Sequence, residues 1–581
     1  MEHINEGHMN EVQSVFRTKF APLIIFLSGL VVFGNTLHHQ FALNDLAHIV
    51  NNSAIKDLGQ AWIAFFEPTF AADVYRPVYA LSYILTYHFA GLAPVAYHAT
   101  NILLHALISV FVYFLILRVT RPKLAFLAAF LFAIHPVHIE AVANISGRTE
   151  LLCHFFGLWT LFLALNISQK DCSGVLFKYL LLSLLFALAL FSNETALCYL
   201  LLIPLTYFFQ TQRPKASGAF WGAYVVLGAT TFFYLLCRIN VLEVAFGGTA
   251  AVTYIDNPLI GLGWIDRAAN AVILLGKYVA LVFIPVRLSA DYSFAHIAPV
   301  TNFFGAEVGT SLLLITVFVL VGLANLRTKS KHGFFMLWFF FSLLMSSNLL
   351  FPIETIFAER IVYISSLGVL GIFSILVYRI ESGLVRSTVV SFIVVTFGFL
   401  TVIVNESWNN NTTLFIRQRL TSPDSAKTRL GYGIALRNLG HLERAKAEVL
   451  AAHKIYPQYV DAAFGMAILY LEENKMEEAE SWLKKTLKLN PDHLAALNAL
   501  GGVYFSLKQH GAAKKAFQSA IRADADNFPA KLGLLAIYIL KQELGEARIL
   551  RDELVEQHPD SPELKRLSKL LNGALRPGNY I

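Results

Sequence analysis

Charged residues are scarce in this chain of 581 residues. Asp, Glu, Lys and Arg together make up 15% of it, whereas hydrophobic residues make up 56%. Soluble globular domains carry about 25% charged residues. The composition therefore excludes a soluble protein and predicts an integral membrane protein. Beyond about residue 421 the sequence becomes rich in Ala, Leu, Lys and Glu, which marks a domain boundary.

Cysteine is scarce as well, with 4 residues in the whole chain. None of them forms a CxxC pair or a metal-type spacing, so we interpret them as inert small residues. A signal-peptide cleavage site is also lacking. Leu37-His38-His39 follows the first apolar run, and we therefore predict a retained helix there.

The net charge of +7 does not indicate a nucleic-acid partner. The cations cluster in short loops between apolar runs, where they set membrane orientation and can touch anionic lipid. We therefore expect membrane lipid as a partner and no nucleic acid.

Eleven apolar runs are long enough, or nearly so, to cross a membrane. They are residues 20–37, 98–117, 123–135, 148–166, 177–191, 195–209, 218–236, 306–325, 333–350, 360–379 and 387–404. Lys and Arg occupy every second connecting loop, which predicts that these loops and the N-terminus are cytoplasmic. A further run, 268–284, would break this alternation, so we expect a re-entrant or surface helix there.

Asp45 follows the first run, at the point where the chain leaves the membrane on its outer side. Arg76 belongs to the next polar cluster. An acid beside a cation at the bilayer surface suits an enzyme that takes a sugar from a lipid phosphate. The acid accepts a proton from the acceptor hydroxyl, and the cation neutralises the departing phosphate. The alternative interpretation is an Asp-Asn turn on a solvated loop.

The other outer loops carry further ionisable residues, which are costly at the end of a membrane helix unless they are partnered or wet. We expect Arg148 and Arg360 to join Arg76 as phosphate ligands. The supporting residues expected on the same face are Asn44, His135, His138, Glu140, Glu150, Glu194, Asp291, Tyr292 and Glu359.

Zinc is an alternative ligand for one of these loops, because His135, His138 and Glu140 have suitable donor atoms. Their spacing matches no helical i, i+4 pair, however, and Pro136 intervenes. We predict no metal site and expect these side chains to hold the loop and help bind the acceptor or lipid.

Prolines recur every 34 residues in the tail, at Pro423, Pro457 and Pro491, and Pro559 continues the period after one omission. Four repeats follow, 426–459, 460–493, 494–527 and 528–561. Each has alanine at one register position, namely Ala445, Ala479, Ala513 and Ala547. A 34-residue helix–turn–helix unit of this kind is a tetratricopeptide repeat (TPR), and such repeats stack into a solenoid with a concave binding face.

The motifs of the outer loops occur in a characteristic order: Asn44-Asp45, Tyr75-Arg76-Pro77, the segment 135–142, the segment 147–152, the segment 288–293 and Ala358-Glu359-Arg360. Together with the repeats, they resemble the transmembrane-and-TPR O-mannosyltransferase family and its bacterial relatives, which are GT-C glycosyltransferases. The family often has two adjacent acids in the first outer loop. This chain has Asn44 before Asp45, so any role that needs a second carboxylate there is in doubt.

The resemblance implies an all-α fold, in which a polytopic membrane helix bundle of GT-C type with about 11 crossings precedes a TPR α-solenoid. The predicted domains are a transferase domain at 1–405, a linker at 406–425, four repeats at 426–561, and a capping helix and tail at 562–581. The resemblance also implies a polyprenyl-phosphate sugar donor, a catalytic acid in the first outer loop and inversion at the sugar carbon. We expect no cofactor.

We interpret the chain as a glycosyltransferase that moves a sugar, with mannose as the candidate, from polyprenyl phosphate to a hydroxyl of a protein or glycan. The TPRs would bind the acceptor on the lumenal or periplasmic side, and a bacterial inner membrane is favoured over the endoplasmic reticulum. The alternative is a non-catalytic, membrane-anchored TPR scaffold. A transporter is disfavoured, because the polar residues gather at one face rather than near the bilayer midplane.

Overall fold

The computed structural model describes residues 19–71, 74–167, 174–210, 218–245, 252–300 and 305–574. Within these ranges the chain forms helices and loops and no β-strand, which confirms the all-α prediction. The chain divides into two compact units, Met1–Pro423 and Asp424–Ile581.

The first unit is a bundle of apolar helices around a large hydrophobic core. Its helices are α1 (Lys19–His38), α2 (Pro77–Ala90), α3 (Pro94–Val119), α4 (Pro122–Ile134), α5 (Ile139–Val142), α6 (Arg148–Ile167), α7 (Val175–Leu190), α8 (Tyr199–Phe209), α9 (Gly218–Leu242), α10 (Trp264–Phe283), α11 (Ala306–Thr328), α12 (Lys331–Leu343), α13 (Ser366–Tyr378), α14 (Gly383–Asn405) and α15 (Asn411–Thr421).

Six helical stretches in the described residues are both long and apolar enough to cross a membrane, and a bent pair can be counted as a seventh. They are Lys19–His38, Pro94–Val119, Ile145–Ile167, Gly218–Leu242, Val308–Thr328 and Gly383–Trp408, with Pro122–Ile134 and Pro136–Val142 as the bent pair. The chain is thus a multi-pass membrane protein. Helix α10 is not among these spans, and every 18-residue window of it contains Asp266, Arg267 and Lys277.

Proline sets several boundaries of these helices. Pro77, Pro94 and Pro122 each occupy the first position of a helix. A missing backbone N–H costs nothing there, because the first turn has no intrahelical acceptor for it. Pro136 instead separates α4 from the segment that follows, which turns away by 49°. The break brings the polar residues that follow α4 into the interior.

A close backbone approach fixes the start of α6. A Cβ added at Gly147 would lie 2.5 Å from the carbonyl oxygen of Ala141. Real Cβ atoms do not come this near to an oxygen, so only glycine allows α5 and α6 to meet here. This contact determines where Arg148 and Glu150 enter the bundle.

The second unit consists of four helical hairpins and one terminal helix, which confirms the TPR prediction. The helices are α16 (Ala426–Asn438), α17 (Leu442–Ile455), α18 (Val460–Glu472), α19 (Met476–Leu489), α20 (Leu494–Ser506), α21 (His510–Ala523), α22 (Phe528–Leu540), α23 (Leu544–Gln557) and α24 (Pro562–Ala574). The four register alanines predicted from the sequence are all fully buried. Their small side chains let the paired helices pack closely.

The predicted linker contains helix α15, which belongs to the first unit. Asn410 begins this helix with a capping box, in which its side chain accepts from the amide of Thr413 and the Thr413 side chain accepts from the amide of Asn410. Residues just before and within α15 bond to the loop that carries Asp45. The segment is therefore part of the framework of the candidate site.

Candidate functional site

Asp45 is buried, with 2% of its surface exposed, at the start of a short helical turn, Leu46–Val50. Its Oδ2 accepts a hydrogen bond from the backbone amide of Ala42 at 3.1 Å. Its Oδ1 is buried without a hydrogen-bond partner among the described residues. Burial raises the pKa of Asp45 to about 7, although the backbone amides of Ala42 and Ser146 and the charge of Arg148 act in the opposite direction. The carboxyl group can therefore gain or lose a proton near neutral pH.

The segment that follows α14 holds the Asp45 loop in place. The backbone amide of Gln40 donates to the carbonyl of Asn409 at 2.8 Å. The amide of Leu43 donates to Oδ1 of Asn411 at 2.6 Å. Leu43 adopts a φ of +50°, which is uncommon for a non-glycine residue. These long-range bonds hold Leu43 in this conformation two residues before Asp45.

Asn44 lies at the surface of the same loop. Its side chain is exposed, and its carbonyl accepts from the amide of His48 at 2.8 Å. The residue therefore shapes the turn through its backbone.

Arg148 is fully buried and engaged by the protein itself. Its Nε donates to Oδ1 of Asn101 at 2.9 Å, and its Nη2 donates to the carbonyl of Tyr97 at 2.9 Å. The guanidinium carbon lies 4.7 Å from the centre of the Tyr83 ring, in a cation–π contact. Arg148 does not line the outer cavity described next. Its location fits a structural cation that supports the aromatic cluster and acts on Asp45 through its charge.

A small polar cavity of about 90 Å³ lies between loops of the first unit that the sequence predicts to be on the outer side, and we call it the outer cavity. Its ionisable lining residues are three arginines and three glutamates, namely Arg76, Arg238, Arg360, Glu150, Glu194 and Glu354. The cavity is thus balanced in formal charge and provides several N–H donors.

Arg76 faces two glutamates of the outer cavity. Its Nη2 lies 3.1 Å from Glu194 and 3.8 Å from Glu354, and its Nε donates to Glu194 at 3.3 Å. Burial acts to lower the pKa of Arg76, but the charges of Glu194 and Glu354 outweigh this effect and raise the pKa. Arg76 therefore stays cationic. Arg238, at the outer end of α9, also faces Glu194, at 3.9 Å.

Arg360 enters the outer cavity from the other side and pairs with Glu140, whose carboxylate accepts from both the backbone amide and the guanidinium of Arg360. Burial acts to lower the pKa of Arg360, and Glu140 more than compensates, so the pKa is raised. The Arg360 side chain is 32% exposed, compared with 17% for Arg76 and 5% for Arg238. Of the three arginines, Arg360 is the most accessible to a ligand.

Glu359, which directly precedes Arg360, is held by hydrogen bonds from Ser289 and Tyr292. Oε1 of Glu359 accepts from the amide of Ser289 and from the hydroxyl of Tyr292, both at 2.6 Å. Burial and the nearby charge of Glu140 raise the pKa of Glu359 well above its usual range. Asp291 closes the adjacent turn by accepting from the amide of Ser293 at 3.1 Å.

His135 and His138 hold the break after α4. Nε2 of His135 donates to the carbonyl of Val282 at 3.0 Å, and its Nδ1 accepts from the amide of Val137 at 3.1 Å. His138 bonds to the carbonyl of Phe132 at 2.9 Å and lies 3.0 Å from Oγ of Ser366. Both nitrogens of each imidazole ring therefore have a hydrogen-bond partner within the protein. Among the described residues, no three metal-type side chains converge.

Glu150 lines the outer cavity from α6. Its carboxylate accepts from the Asn193 side chain at 2.8 Å and lies 3.5 Å from His154. Glu150 thus contacts an amide and an imidazole inside the bundle while it lines the outer cavity.

Helix α2 connects the Asp45 loop with the outer cavity. Arg76 directly precedes this helix, and Tyr79, one turn later, lies within electrostatic reach of both Asp45 and Arg76. Asp45 itself is not among the residues that line the cavity. The charges of Asp45 and Arg76 thus both act on the same aromatic side chain.

Comparison with known proteins identifies relatives of this architecture. A protein O-mannosyl-transferase of Caenorhabditis elegans, F38B6.6, is 26% identical over 453 residues, which cover 75% of this chain and 63% of that protein. Human protein O-mannosyl-transferase TMTC3 is 26% identical over 81% of this chain and 55% of its own length. The relatives of this chain are protein O-mannosyl-transferases. The resemblance noted in the sequence is thereby confirmed.

The chain spans 55–63% of the length of the curated relatives that it first matches. Residues 451–502 and 504–571 match the tetratricopeptide repeat family. A solved tetratricopeptide repeat protein from Parabacteroides merdae aligns with 28% of this chain and 66% of its own, at 19% identity and a TM-score of 0.26.

Sequence reasoning missed three residues around the site: Arg238, Glu354 and Asn411. A signal for Arg238 was present, because an ionisable residue in an otherwise apolar membrane helix marks a functional candidate. Asn411 gave no local signal, since its role depends on a bond to Leu43, which lies 368 positions earlier.

Proposed function

We propose that this protein is an integral membrane glycosyltransferase that moves a mannosyl group from a polyprenyl phosphate to a hydroxyl group of a protein, on the lumenal or periplasmic side. The observation that carries the proposal is a buried acid, Asp45, with an oxygen that has no hydrogen-bond partner among the described residues, in the same unit as a cavity lined by three arginines. The names of the relatives supply the sugar and the class of acceptor.

In this mechanism Asp45 is the general base. Its Oδ1 accepts the proton of the acceptor hydroxyl as the hydroxyl oxygen attacks the anomeric carbon of the sugar. The bond between that carbon and the phosphate oxygen breaks, and the polyprenyl phosphate leaves with the electron pair. Attack from the face opposite the phosphate inverts the configuration of the sugar carbon.

The arginines of the outer cavity bind the phosphate as its negative charge increases. Arg360 has the largest exposed fraction and is positioned to meet the donor first. Arg76 and Arg238 share one counter-ion, Glu194. A phosphate that enters the cavity can therefore replace Glu194 as the partner of one of these arginines. A bidentate guanidinium contact suits a phosphate group better than an ammonium contact does.

The TPR unit is proposed to bind the protein acceptor on its concave face. Repeats of this type recognise extended peptides along such a surface. In this assignment the membrane unit supplies the chemistry and the repeats supply acceptor specificity.

The test is mannosyl transfer by the purified full chain, with mannosyl polyprenyl phosphate as donor and secreted proteins of the host as acceptors. Asp45→Asn keeps the size of the side chain and removes its basicity, so transfer should fall by about a hundred- to ten-thousand-fold. Asp57→Asn is the matched control, because Asp57 is an exposed carboxylate twelve positions later in the same outer loop. Donor binding should be retained by both variants.

A correctly folded Asp45→Asn protein that transfers mannose at the wild-type rate would exclude Asp45 as the base. A wild-type protein without transfer to any acceptor, but with stable partner proteins bound to its repeats, would favour the scaffold alternative.

A further inference from the structure

A second, much larger cavity lies at the opposite end of the membrane bundle, and we call it the inner cavity. Its volume of about 1250 Å³ exceeds the roughly 300–1,000 Å³ of pockets for small ligands. It is lined by residues from the first two turns of α1 and α4 and the last two turns of α3 and α13, together with the turn between α11 and α12. The Asp45 loop follows the other end of α1, and a 20-residue helix is about 30 Å long. Helix α12 begins at Lys331, which lines the inner cavity, and is followed by Met345 and Ser346, which line the outer cavity. The two cavities therefore lie at opposite ends of the bundle.

The rim of the inner cavity is strongly cationic. Five Lys and Arg residues from three separate loops line it, namely Arg121, Lys123, Lys329, Lys331 and Arg379. Among the described residues, no Asp or Glu lines it. This contrasts with the outer cavity, where three glutamates balance three arginines.

The cations of the inner rim are held close to one another. Arg121 and Lys331 repel each other electrostatically, although they belong to different loops. Arg379 donates from Nη2 to Nε2 of His332 at 3.4 Å, and Nδ1 of that ring lies 2.9 Å from Oγ of Ser330. Like charges brought together raise the energy of the folded chain, and an anion bound between them would lower it.

The floor of the inner cavity is apolar. Ile24, Leu124, Phe126 and Ile375 line it below the cationic rim. Ile24 is 46% exposed at the surface of α1, so the apolar floor continues to the lipid-facing side of the bundle. A free anion needs only the rim, whereas an amphiphile with an anionic head and an apolar tail fits both parts.

We propose that the inner cavity binds an anionic phospholipid from the leaflet opposite Asp45, with the phosphate headgroup among the rim cations and part of an acyl chain on the apolar floor. Basic pockets between membrane helices on the cytoplasmic side bind anionic headgroups in this way. The site is separate from the proposed transfer reaction and does not depend on it.

The experiment is a binding titration on the purified full chain in a neutral detergent, with fluorescent phosphatidylglycerol and, in parallel, fluorescent phosphatidylcholine. The wild type should bind phosphatidylglycerol preferentially. The R121Q/K331Q variant should bind it about thirtyfold more weakly, because each of the two cations near a headgroup contributes about 1 kcal/mol. The matched control is K178Q/R327Q, which removes two cations from predicted cytoplasmic loops outside the cavity lining and should bind as the wild type does.

The outcomes separate the possible ligands. Equal binding of the two lipids by the wild type, or equal loss in both double variants, would overturn the proposal. Displacement of the lipid by millimolar inorganic phosphate would also overturn it, since the site would then need only an anion. If R121Q/K331Q does not purify as a folded protein, R379Q provides the test, with a loss of about fivefold expected for one cation.

Discussion

At the residue scale, the environment of Asp45 determines what its carboxyl group can do. An exposed aspartate is ionised at neutral pH and accepts a proton only weakly. The pKa of Asp45 is raised to about 7 because burial disfavours the charged form. The group is then a stronger base, and about half of the molecules carry it ionised at pH 7.

This pKa has a consequence for stability. Below the ordinary value of 3.8, Asp45 is protonated in the folded and the unfolded chain alike, and it does not affect their balance. As the pH rises to about 7, only the unfolded chain ionises it readily, so folding stability falls until the folded-state pKa is passed. Asp45→Asn removes this pH-dependent fall in folding stability, because asparagine does not ionise. We expect its melting temperature to exceed that of the wild type at pH 8 and to match it at pH 3.5.

Scanning fluorimetry of the purified chain across this pH range would measure the effect. Asp57→Asn again serves as the matched carboxylate-to-amide change at an exposed position. A constant difference between Asp45→Asn and the wild type at all pH values would contradict the raised pKa.

Arg360 has two roles, which two substitutions separate. Arg360→Ala should weaken donor binding by roughly 2–3 kcal/mol, because a charge-assisted contact to the phosphate is lost. It also removes the cation that faces the buried carboxylate of Glu140, which keeps only the backbone amide of residue 360 as a donor, and this destabilises the fold. Arg360→Lys keeps a positive charge near Glu140 and loses only the forked geometry, so it should retain stability and still bind the donor less tightly.

Titration with polyprenyl phosphate, followed by a melting curve for each variant, would distinguish the two roles. Arg287→Ala is the control, because Arg287 is exposed in an outer loop and does not line the outer cavity. Unchanged donor affinity in both Arg360 variants would place the phosphate elsewhere.

At the element scale, the helical hairpins of the TPR unit share one turn geometry. The residue between the two helices of each repeat has a positive φ at the same register position: Gly440 (81°), Asn474 (58°), Lys508 (60°) and Gln542 (59°). Glycine adopts this conformation without penalty, whereas other residues pay roughly 1–2 kcal/mol for it. Only the first repeat uses glycine.

Lys508→Gly should therefore stabilise the third repeat, by about 1 kcal/mol at most, since glycine also gains more entropy in the unfolded chain. Hydrogen exchange of α20 and α21 in the full chain would report the change as slower exchange. The reciprocal variant Gly440→Lys should accelerate exchange in α16 and α17. Faster exchange in Lys508→Gly would show that the lysine side chain contributes more than its backbone strain costs.

At the scale of the whole molecule, the number of crossings decides on which side of the membrane the repeats lie. Eleven crossings require that four shorter apolar helices cross along with the long ones. These are Val175–Leu190, Glu194–Phe209, Lys331–Ser346 and Ser366–Tyr378. An odd number would place the repeat unit and the N-terminus on opposite sides.

We predict that the repeats are outside the cytoplasm. A cysteine introduced by Gln458→Cys, at an exposed position, should be labelled by a membrane-impermeant reagent from the outer side. Arg327→Cys, exposed in a predicted cytoplasmic loop, should be labelled only after permeabilisation. Both changes belong in a background without the 4 native cysteines. The reverse pattern would overturn the topology and, with it, the proposed side of the reaction.

The sequence alone determined the membrane class, the helical fold and the repeats, because these properties follow from local composition and from a period of 34 residues. It also indicated Asp45, Arg76 and Arg360, since an ionisable group at a membrane boundary is costly without a function. Tertiary structure decided which partner each of these groups meets. Arg148 satisfies the same sequence criterion, yet it is buried against Tyr83, while Arg238 and Asn411 join the site from distant helices. Such partners depend on how the helices pack, and neighbouring residues in the sequence do not encode them.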